Sequence, residues 1–310
     1  MKRVAIILPC LDEEAVLPHT IEELRGLLSR LIISGEIDPE SFLLLVDDGS
    51  TDATWDVIAR HSAADLRGVR LSRGCGHQTA LLAGIEEALP HCDACITIDA
   101  DLQDDIEVIP QMLKAWAGGA DVVCGVRRDR SSDSWLKKNS AAVFYGTMRK
   151  LGTECIDNHA DFRLLSSRAA SDLLDYEERN LYLRGLVPLL GYRQEKVYYD
   201  RSPRRAGKSK YPLKRMLDFA VDGITSFSVV PVRMIFRLGI LFTLTAFGIG
   251  IYSLVRHFNG ETIAGWTSLM LSIWFCTGVL LMALGVIGEY IGKIYIEVKK
   301  RPRYHVADRV

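Results

Sequence analysis

The stretch ITIDADLQDD, residues 96–105, leaves an apolar segment and sets Asp99, Asp101, Asp104 and Asp105 within seven positions. Like charges that close repel unless a cation sits among them. Read as the end of a strand, where side chains two apart share a face, Asp99 and Asp101 project together. Paired carboxylates there suit a hard divalent ion, Mg²⁺ or Mn²⁺. Mg²⁺ bridges protein carboxylates to phosphates, so the expected companion is a nucleotide diphosphate. Arg73, beside Gly74 and Gly76 where a helix starts, is placed to meet those phosphates. The run GCGHQT lacks the third glycine of a dinucleotide fingerprint, so NAD is not read from it.

Two aspartates on a solvated loop are common, and what distinguishes this pair is its company. Apolar runs at 4–11, 42–49, 69–72, 94–101 and 120–126 alternate with helical patterns at 13–33, 52–62, 76–89 and 106–117. Continuous β-rich runs separated by helices read as a parallel sheet covered on both faces. Such sheets bind ligands beyond the carboxyl ends of their strands. Acids lie at those ends: Asp12, Glu13 and Glu14 after the first run, Asp47 and Asp48 after the second, Asp99 and Asp101 after the fourth.

The chain of 310 residues is near neutral overall, but the average hides a split. From Arg201 onward there are 16 Lys/Arg against 6 Asp/Glu, leaving 22 against 33 for residues 1–200. An acidic globular half therefore precedes a basic, apolar one, which points to a membrane or nucleic-acid partner. Leu238–Val255 and Ile263–Gly288 are uncharged runs of 18 and 26 residues, against the ~20 needed to cross a bilayer. Arg233 and Arg237 precede the first and Lys293, Lys299, Lys300, Arg301 and Arg303 follow the second, so both ends of this hairpin are expected in the cytoplasm. The basic run Arg201, Arg204, Arg205, Lys208, Lys210 has no interleaved aromatic platform, so nucleic acid is the weaker reading and a phosphate-gripping loop at the membrane surface is favoured. Leu213, Leu217, Ala220, Ile224 and Phe227 recur at helical spacing, as in a helix lying in the membrane interface. Residues 133–151, with Trp135, Phe144 and Met148 among lysines and arginines, are a second such candidate. The seven cysteines are expected to be reduced thiols, and Cys92-x-x-Cys95 has no second pair to make a zinc site.

The motifs PCLDEE (9–14), VDDGSTD (46–52), DADLQDD (99–105), GVRRDR (125–130), DFRLLSSRA (161–169) and RRAGKSKY (204–211) follow in that order, ahead of the two apolar runs. Together they resemble the inverting family 2 glycosyltransferases, and more closely the polyprenyl-phosphate branch of dolichol-phosphate mannose synthases and bactoprenol glucosyltransferases. The resemblance implies an α/β fold: a GT-A, Rossmann-like, mostly parallel catalytic domain over residues 1–210, an interfacial segment at 211–232, a two-helix transmembrane hairpin within 233–290 (234–256 and 264–288), and a basic cytoplasmic tail at 291–310. It implies that Pro9, Asp47 and Asp48 line the pocket for base and ribose, with Asp12, Glu14 and Arg73 in the same nucleotide-sugar site. Asp99 and Asp101 would hold the metal and the sugar diphosphate. Arg127 and Lys138 would meet the acceptor phosphate, and Asp161 and Arg163 would sit where acceptor and sugar C1 meet, making Asp161, Arg163 and Asp101 the catalytic set. Arg204, Ser209, Lys210 and Tyr211 would form a loop over the diphosphate. The chain departs from the family pattern at Asp12 and Gly74, commonly Asn, and at Asp105 and Ile106, commonly a proline pair.

The implied reaction moves one sugar, glucose from UDP-glucose being favoured, to undecaprenyl or another polyprenyl phosphate, inverting an α-linked donor to a β-linked product. GDP-mannose, an amino sugar or a modified arabinose would serve the same chemistry. The implied location is the bacterial plasma membrane, and the resemblance is compatible with a homotetramer. Three rivals use part of the same pattern. A processive polysaccharide synthase would need a Q-x-x-R-W stretch, which is absent. A sugar nucleotidyltransferase would need a glycine-rich basic loop near the N-terminus for a triphosphate. A membrane-anchored binding protein would need none of the carboxylate geometry.

Overall fold

The structure, a computed structural model, describes residues 1–128, 159–179, 182–200, 230–259 and 265–310. Its centre is an eight-stranded sheet. Strands β1 (Val4–Cys10), β2 (Phe42–Asp47), β3 (Leu66–Leu71), β4 (Ala94–Thr97), β5 (Val122–Arg127), β6 (His159–Ser166), β7 (Gln194–Tyr199) and β8 (Val306–Arg309) lie in the order β7-β5-β6-β4-β1-β2-β3-β8. β1, β2 and β4 are buried at nearly every position, because helices cover both faces and no face is left for polar alternation. Helix α1 (Leu17–Ile33) starts with Pro18 in its first turn and buries Leu17, Ile21, Leu24, Leu28 and Leu31, one stripe at helical spacing. Helices α2 (Thr54–His61), α3 (His77–Ala88) and α4 (Ile109–Ala117) complete the first four crossovers. Gly84 lets α3 lie directly on the sheet: a Cβ there would sit 2.4 Å from Cγ2 of Ile7.

Two departures from the expected parallel sheet matter for function. First, β6 is antiparallel to both β4 and β5, pairing Thr97 with Arg163 and Cys124 with Arg163. Beyond the paired residues, His77 Nε2 lies 3.2 Å from Asp99 and 4.0 Å from Asp161, which brings that part of β6 close to the turn after β4. Second, the strand expected at 94–101 stops at Thr97, so Asp99 and Asp101 lie in a turn and not on an alternating strand. That turn contains Leu102 in the left-handed region, with φ of 49°. Helix α5 (Ser167–Leu174), capped by the Ser166 hydroxyl, and the short α6 (Leu183–Leu189) follow β6.

The basic tail does not simply trail away: residues 301–310 belong to the same compact unit as the sheet. β8 lies antiparallel on β3, with Val69 opposite Arg309 and Leu71 opposite Val306. Gly68 and Val310 exchange N–H···O bonds of 2.8 and 2.9 Å. Arg309 forks onto Glu87 of α3 at 2.9 and 3.1 Å, while Tyr304 bonds Glu86 and Arg303 the carbonyl of Tyr176. Deleting residues 305–310 removes this ladder and opens the β3 edge. The expected loss is about 2–4 kcal/mol, or roughly 5–10 °C in melting temperature. Arg309→Gln, which removes only an exposed pair, is expected to move it by less than about 3 °C. Thermal melts of the two variants check both values.

A second compact unit holds helices α7 (Val230–Phe258) and α8 (Trp266–Val298). Among the described residues one stretch is long and apolar enough to cross a membrane: Phe275–Val298, 24 residues of mean hydropathy 1.7 with none of it buried. The apolar stretch of α7, Met234–Ile249, is shorter, and 16 helical residues rise only about 24 Å against a hydrocarbon core of about 30 Å. Two spans are therefore not established by length and composition. Within the unit, Phe242 and Phe275 meet edge to face with centroids 5.7 Å apart.

Candidate active site

Three loops leave the carboxyl ends of β1, β2 and β3, and their acids are used largely to brace one another. Asp12 accepts from the backbone N–H of Thr51 (2.8 Å) and from its hydroxyl (3.2 Å), while the Asp12 N–H donates to Ser50 Oγ at 3.0 Å. Asp12 itself takes a φ of 53°. Glu14 accepts from the Ala53 N–H, and Asp52 returns the contact to the Glu14 N–H. Asp47, expected to line the nucleotide pocket, is fully buried instead, with Oδ1 accepting from the Ser50 N–H at 3.0 Å and Oδ2 3.4 Å from Arg70. Asp48 is also buried and accepts from the N–H groups of Cys75 (2.6 Å) and Gly76 (2.9 Å). Burial pushes the Asp48 carboxyl up in spite of those two bonds. Asp48 thus holds the loop before α3, while Asp47 braces the turn after β2 through Ser50 and faces Arg70. Gly49, with φ of 71°, allows the close approach: a Cβ there would stand 2.6 Å from the backbone of Arg73 and Gly74. Pro9 is partly exposed at the end of β1, and Arg73 is exposed on the loop.

The aspartate-rich turn is anchored from below. The buried hydroxyl of Thr20, on α1, donates to the carbonyl of Ala100 at 2.7 Å, between Asp99 and Asp101. Asp101 Oδ1 accepts from the Gln103 N–H at 3.2 Å. Asp105 has a separate task, capping the short 3-10 turn Ile106–Val108 by accepting from the Glu107 N–H. Withdrawal from water pushes Asp99 up to about 6, with Asp161, Asp104 and Asp101 adding like charge and His77, 3.2 Å away, opposing them.

Asp104 faces the interior. Its Oδ1 accepts from Tyr199 OH (2.5 Å) and from Arg127 Nη2 (2.8 Å) and Nε (3.2 Å), while Oδ2 is buried with no hydrogen-bond partner. Arg127, expected at the acceptor phosphate, is thus committed to Asp104 and Tyr199, with about a quarter of its side chain exposed (26%). Asp104→Asn keeps the volume but removes the charge from both bonds. The expected cost is about 2 kcal/mol, read as a fall of roughly 4–8 °C in a thermal melt.

Asp161 is the most heavily bonded carboxylate of the site. Oδ1 accepts from Arg163 Nη2 (2.7 Å) and Arg184 Nε (3.3 Å); Oδ2 accepts from Arg184 Nη2 (3.1 Å) and Gln78 Nε2 (3.2 Å), with His77 Nε2 at 4.0 Å. Thr97 Oγ1 donates to the Asp161 carbonyl at 2.6 Å, fixing β6 to the end of β4. Burial alone would push this carboxyl up, but Arg184, Arg163 and His77 together hold it well below the usual carboxylate range. Gln78 also accepts from the Leu183 N–H at 3.0 Å, and Arg163 Nη1 donates to the Leu183 carbonyl at 3.3 Å.

The structure therefore brings together Asp99, Asp101, Asp161 and Arg163, and sets Arg127 on Asp104 nearby. His77, Gln78, Asp104, Arg184 and Tyr199 join them without having been singled out. His77 and Gln78 stand at the start of α3 in GCGHQT, where the residue types were visible but their partner, Asp161, lies 83 residues away from Gln78. Lys138, Arg204, Ser209, Lys210 and Tyr211 lie outside the described residues, as do the interfacial candidates at 133–151 and 211–227.

The sequence pattern of Glycosyl transferase family 2 matches residues 5–174. The chain is 48% identical over 306 residues to the "Uncharacterized glycosyltransferase YkoT" of Bacillus subtilis (98% of this chain, 90% of that one). It is 38% identical over 307 residues to the SfII prophage-derived bactoprenol glucosyl transferase of Shigella flexneri (97% and 96%). The solved glucosyl-3-phosphoglycerate synthase of Mycobacterium tuberculosis, in complex with Mn²⁺, UDP and phosphoglyceric acid, is 18% identical with a TM-score of 0.47, over 72% of this chain and 76% of that one. With the family pattern running from β1 through the aspartate turn to the strand that carries Asp161, this α/β chain belongs to glycosyl transferase family 2, the GT-A glycosyltransferases.

Proposed function

We propose that this glycosyltransferase moves one glucose from UDP-glucose to undecaprenyl (polyprenyl) phosphate with inversion, giving a β-linked lipid phosphosugar. The observation that carries the reading is the state of Asp161. A carboxylate held by two arginines and a glutamine is a poor proton acceptor, so the acceptor must arrive already nucleophilic. A phosphomonoester, with its second pKa near ~6, does so at neutral pH. One of its oxygens attacks C1 of the sugar, and the bond from C1 to the diphosphate oxygen breaks as UDP leaves with the electron pair. No proton has to be removed. The choice of a polyprenyl lipid is supported by the near full-length relatives named bactoprenol glucosyl transferase.

The residues present fit a divalent cation. Asp99 is raised chiefly by withdrawal from water, with Asp161, Asp104 and Asp101 adding like charge, and a divalent cation beside it would offset that repulsion. Among the described residues no group of three His, Cys, Asp or Glu side chains could hold a metal alone. Asp99 and Asp101 would therefore supply two oxygens, leaving the rest to phosphate and water, which suits Mg²⁺ or Mn²⁺. Such an ion would neutralise the leaving diphosphate. Asp161 and Arg163 orient the reacting centre, and Asp48 holds the α3 loop that faces the phosphates.

The reading includes the plasma membrane as the site of action, with α7 and α8 as a two-span hairpin, residues 211–232 in the interface, both termini cytoplasmic, and a homotetramer as the assembly. Transfer of radiolabelled sugar from a panel of UDP- and GDP-sugars to undecaprenyl phosphate in detergent, with Mg²⁺, Mn²⁺ or chelator, tests it. Metal-dependent label from UDP-glucose in a lipid-linked monosaccharide is expected. Label from another donor would replace the sugar, and no lipid product from any donor would end the reading.

A further inference from the structure

We propose that the C-terminal strand β8 is a positioning element of the donor site: by holding the end of β3 that feeds the α3 loop, it sets the affinity for the nucleoside diphosphate. The inference rests on the reading that UDP binds beyond the ends of β1, β2 and β3, with Arg73 at its phosphates. The loop in question is short, Arg73, Gly74, Cys75 and Gly76 being all that separates Ser72 from His77 at the start of α3. Its two glycines leave the backbone many conformations, and a loop that has to be ordered on binding weakens its ligand by the cost of that ordering. Order before binding must come from the neighbours of the loop.

Those neighbours hold it from two sides. From β2, Asp48 accepts the N–H groups of Cys75 and Gly76, and Gly49 packs against the backbone of Arg73 and Gly74. From the tail, the carbonyl of His305 accepts from the Ser72 N–H at 2.9 Å, one residue ahead of Arg73. Arg73 therefore stands between an anchor supplied by β2 and one supplied by the far end of the chain. A second line runs through side chains. Arg70 is opposite Asp47 on one side and Asp308 on the other. Its Nε lies 3.4 Å from Asp47 and its Nη1 4.0 Å from Asp308, and Asp47 in turn accepts the Ser50 N–H of the loop after β2. The seat of β8 is fitted to it: a Cβ on Gly68 would stand 2.8 Å from Cγ2 of Val310. Tyr304 and Arg309 fasten the same tail to Glu86 and Glu87 of α3, the helix that the loop enters. β8 thus acts on the donor through the loop.

The test measures UDP binding with Mn²⁺ by calorimetry, well below the melting temperatures, in the full-length enzyme, in the chain lacking residues 305–310 and in Arg309→Gln. The truncation is expected to raise the Kd for UDP and the donor KM at least about fivefold, while the lipid KM and kcat at saturating donor stay within about twofold. Arg309→Gln, which leaves the backbone ladder in place, should bind UDP as wild type does. A strand that only stabilises the sheet would lower the melting temperature and leave the Kd unchanged, and that result overturns the proposal. Equal losses in UDP binding, lipid KM and kcat would mean general loosening and overturn it too. Linkage supplies a check that needs no truncated chain to fold, because whatever β8 does for UDP binding, UDP must do for the docking of β8. In intact wild type, saturating UDP should slow amide hydrogen exchange at Gly68 and Val310, which bond each other at the end of the ladder away from the loop, by a similar factor. Exchange there that UDP does not move overturns the proposal. Wild type that binds no UDP overturns it together with the donor reading, whereas wild type and truncated chain of equal affinity overturn this one alone.

Discussion

Asp161→Asn is expected to lower kcat about a thousandfold while leaving UDP binding within a few-fold of wild type. The substitution keeps the shape of the side chain and removes its charge. Arg163, enclosed beneath it, loses its ionic partner, and breaking a buried pair in this way costs about 3–5 kcal/mol. Part of that appears as instability and part as misplacement of the reacting groups, where errors of about 1 Å cost on the order of 10²-fold in rate. Single-turnover transfer and a thermal melt separate the two. The pH dependence is a sharper check. Because the folded carboxyl lies below its unfolded value of about 3.9, its stabilising contribution is complete above that value and is lost only as pH falls through the folded one. Between pH 5 and 9 Asp161 stays ionised, so the residual activity of the variant is expected to keep the wild-type pH profile. Loss of an acidic limb on substitution would identify Asp161 as a true base.

The second large effect is expected at the aspartate turn. Asp99→Asn and Asp101→Asn should each reduce transfer by about 10²- to 10³-fold at standard Mn²⁺, comparable with removing one preorganised electrostatic contact from an active site. Their binding defect should be conditional. With chelator present, UDP affinity of variant and wild type should coincide; with Mn²⁺ added, wild type should tighten and the variants should not. Calorimetry with and without the ion reads this directly. Equal tightening in Asp101→Asn would remove that residue from the metal site.

Much of the catalytic unit could be read from the chain because parallel strands buried on both faces write themselves as uninterrupted apolar runs. Val4–Cys10, Phe42–Asp47 and Val122–Arg127 are of that kind, and the acids that follow the first two mark the ligand-binding edge. The roles of individual acids were less legible. A carboxylate after a strand looks the same whether it meets a ligand, the role proposed for Asp99 and Asp101, or holds a loop, as Asp48 does. The distinction lies in where backbone N–H groups end up, which spacing does not encode. β6 escaped because HADFRLLS has neither a continuous apolar run nor clean alternation, and because it inserts antiparallel between β4 and β5, where the apolar runs read as a parallel sheet. Arg184 and Tyr199 escaped for a related reason: each gains meaning only from a carboxylate brought to it by the fold, 23 and 95 residues away.

The last strand of the sheet also imposes an order in time. β3 ends at Leu71 and its partner β8 begins at Val306, so roughly 230 residues of synthesis separate the two halves of one ladder. At about 5–20 residues per second, the β3 edge waits on the order of 10–50 s for its cover. Both long apolar helices are encoded within that interval. A chain interrupted among them therefore keeps an open edge, available for pairing with other chains, while one translated through residue 309 closes it. Completion of the sheet is thus a built-in record that the helices have already been made.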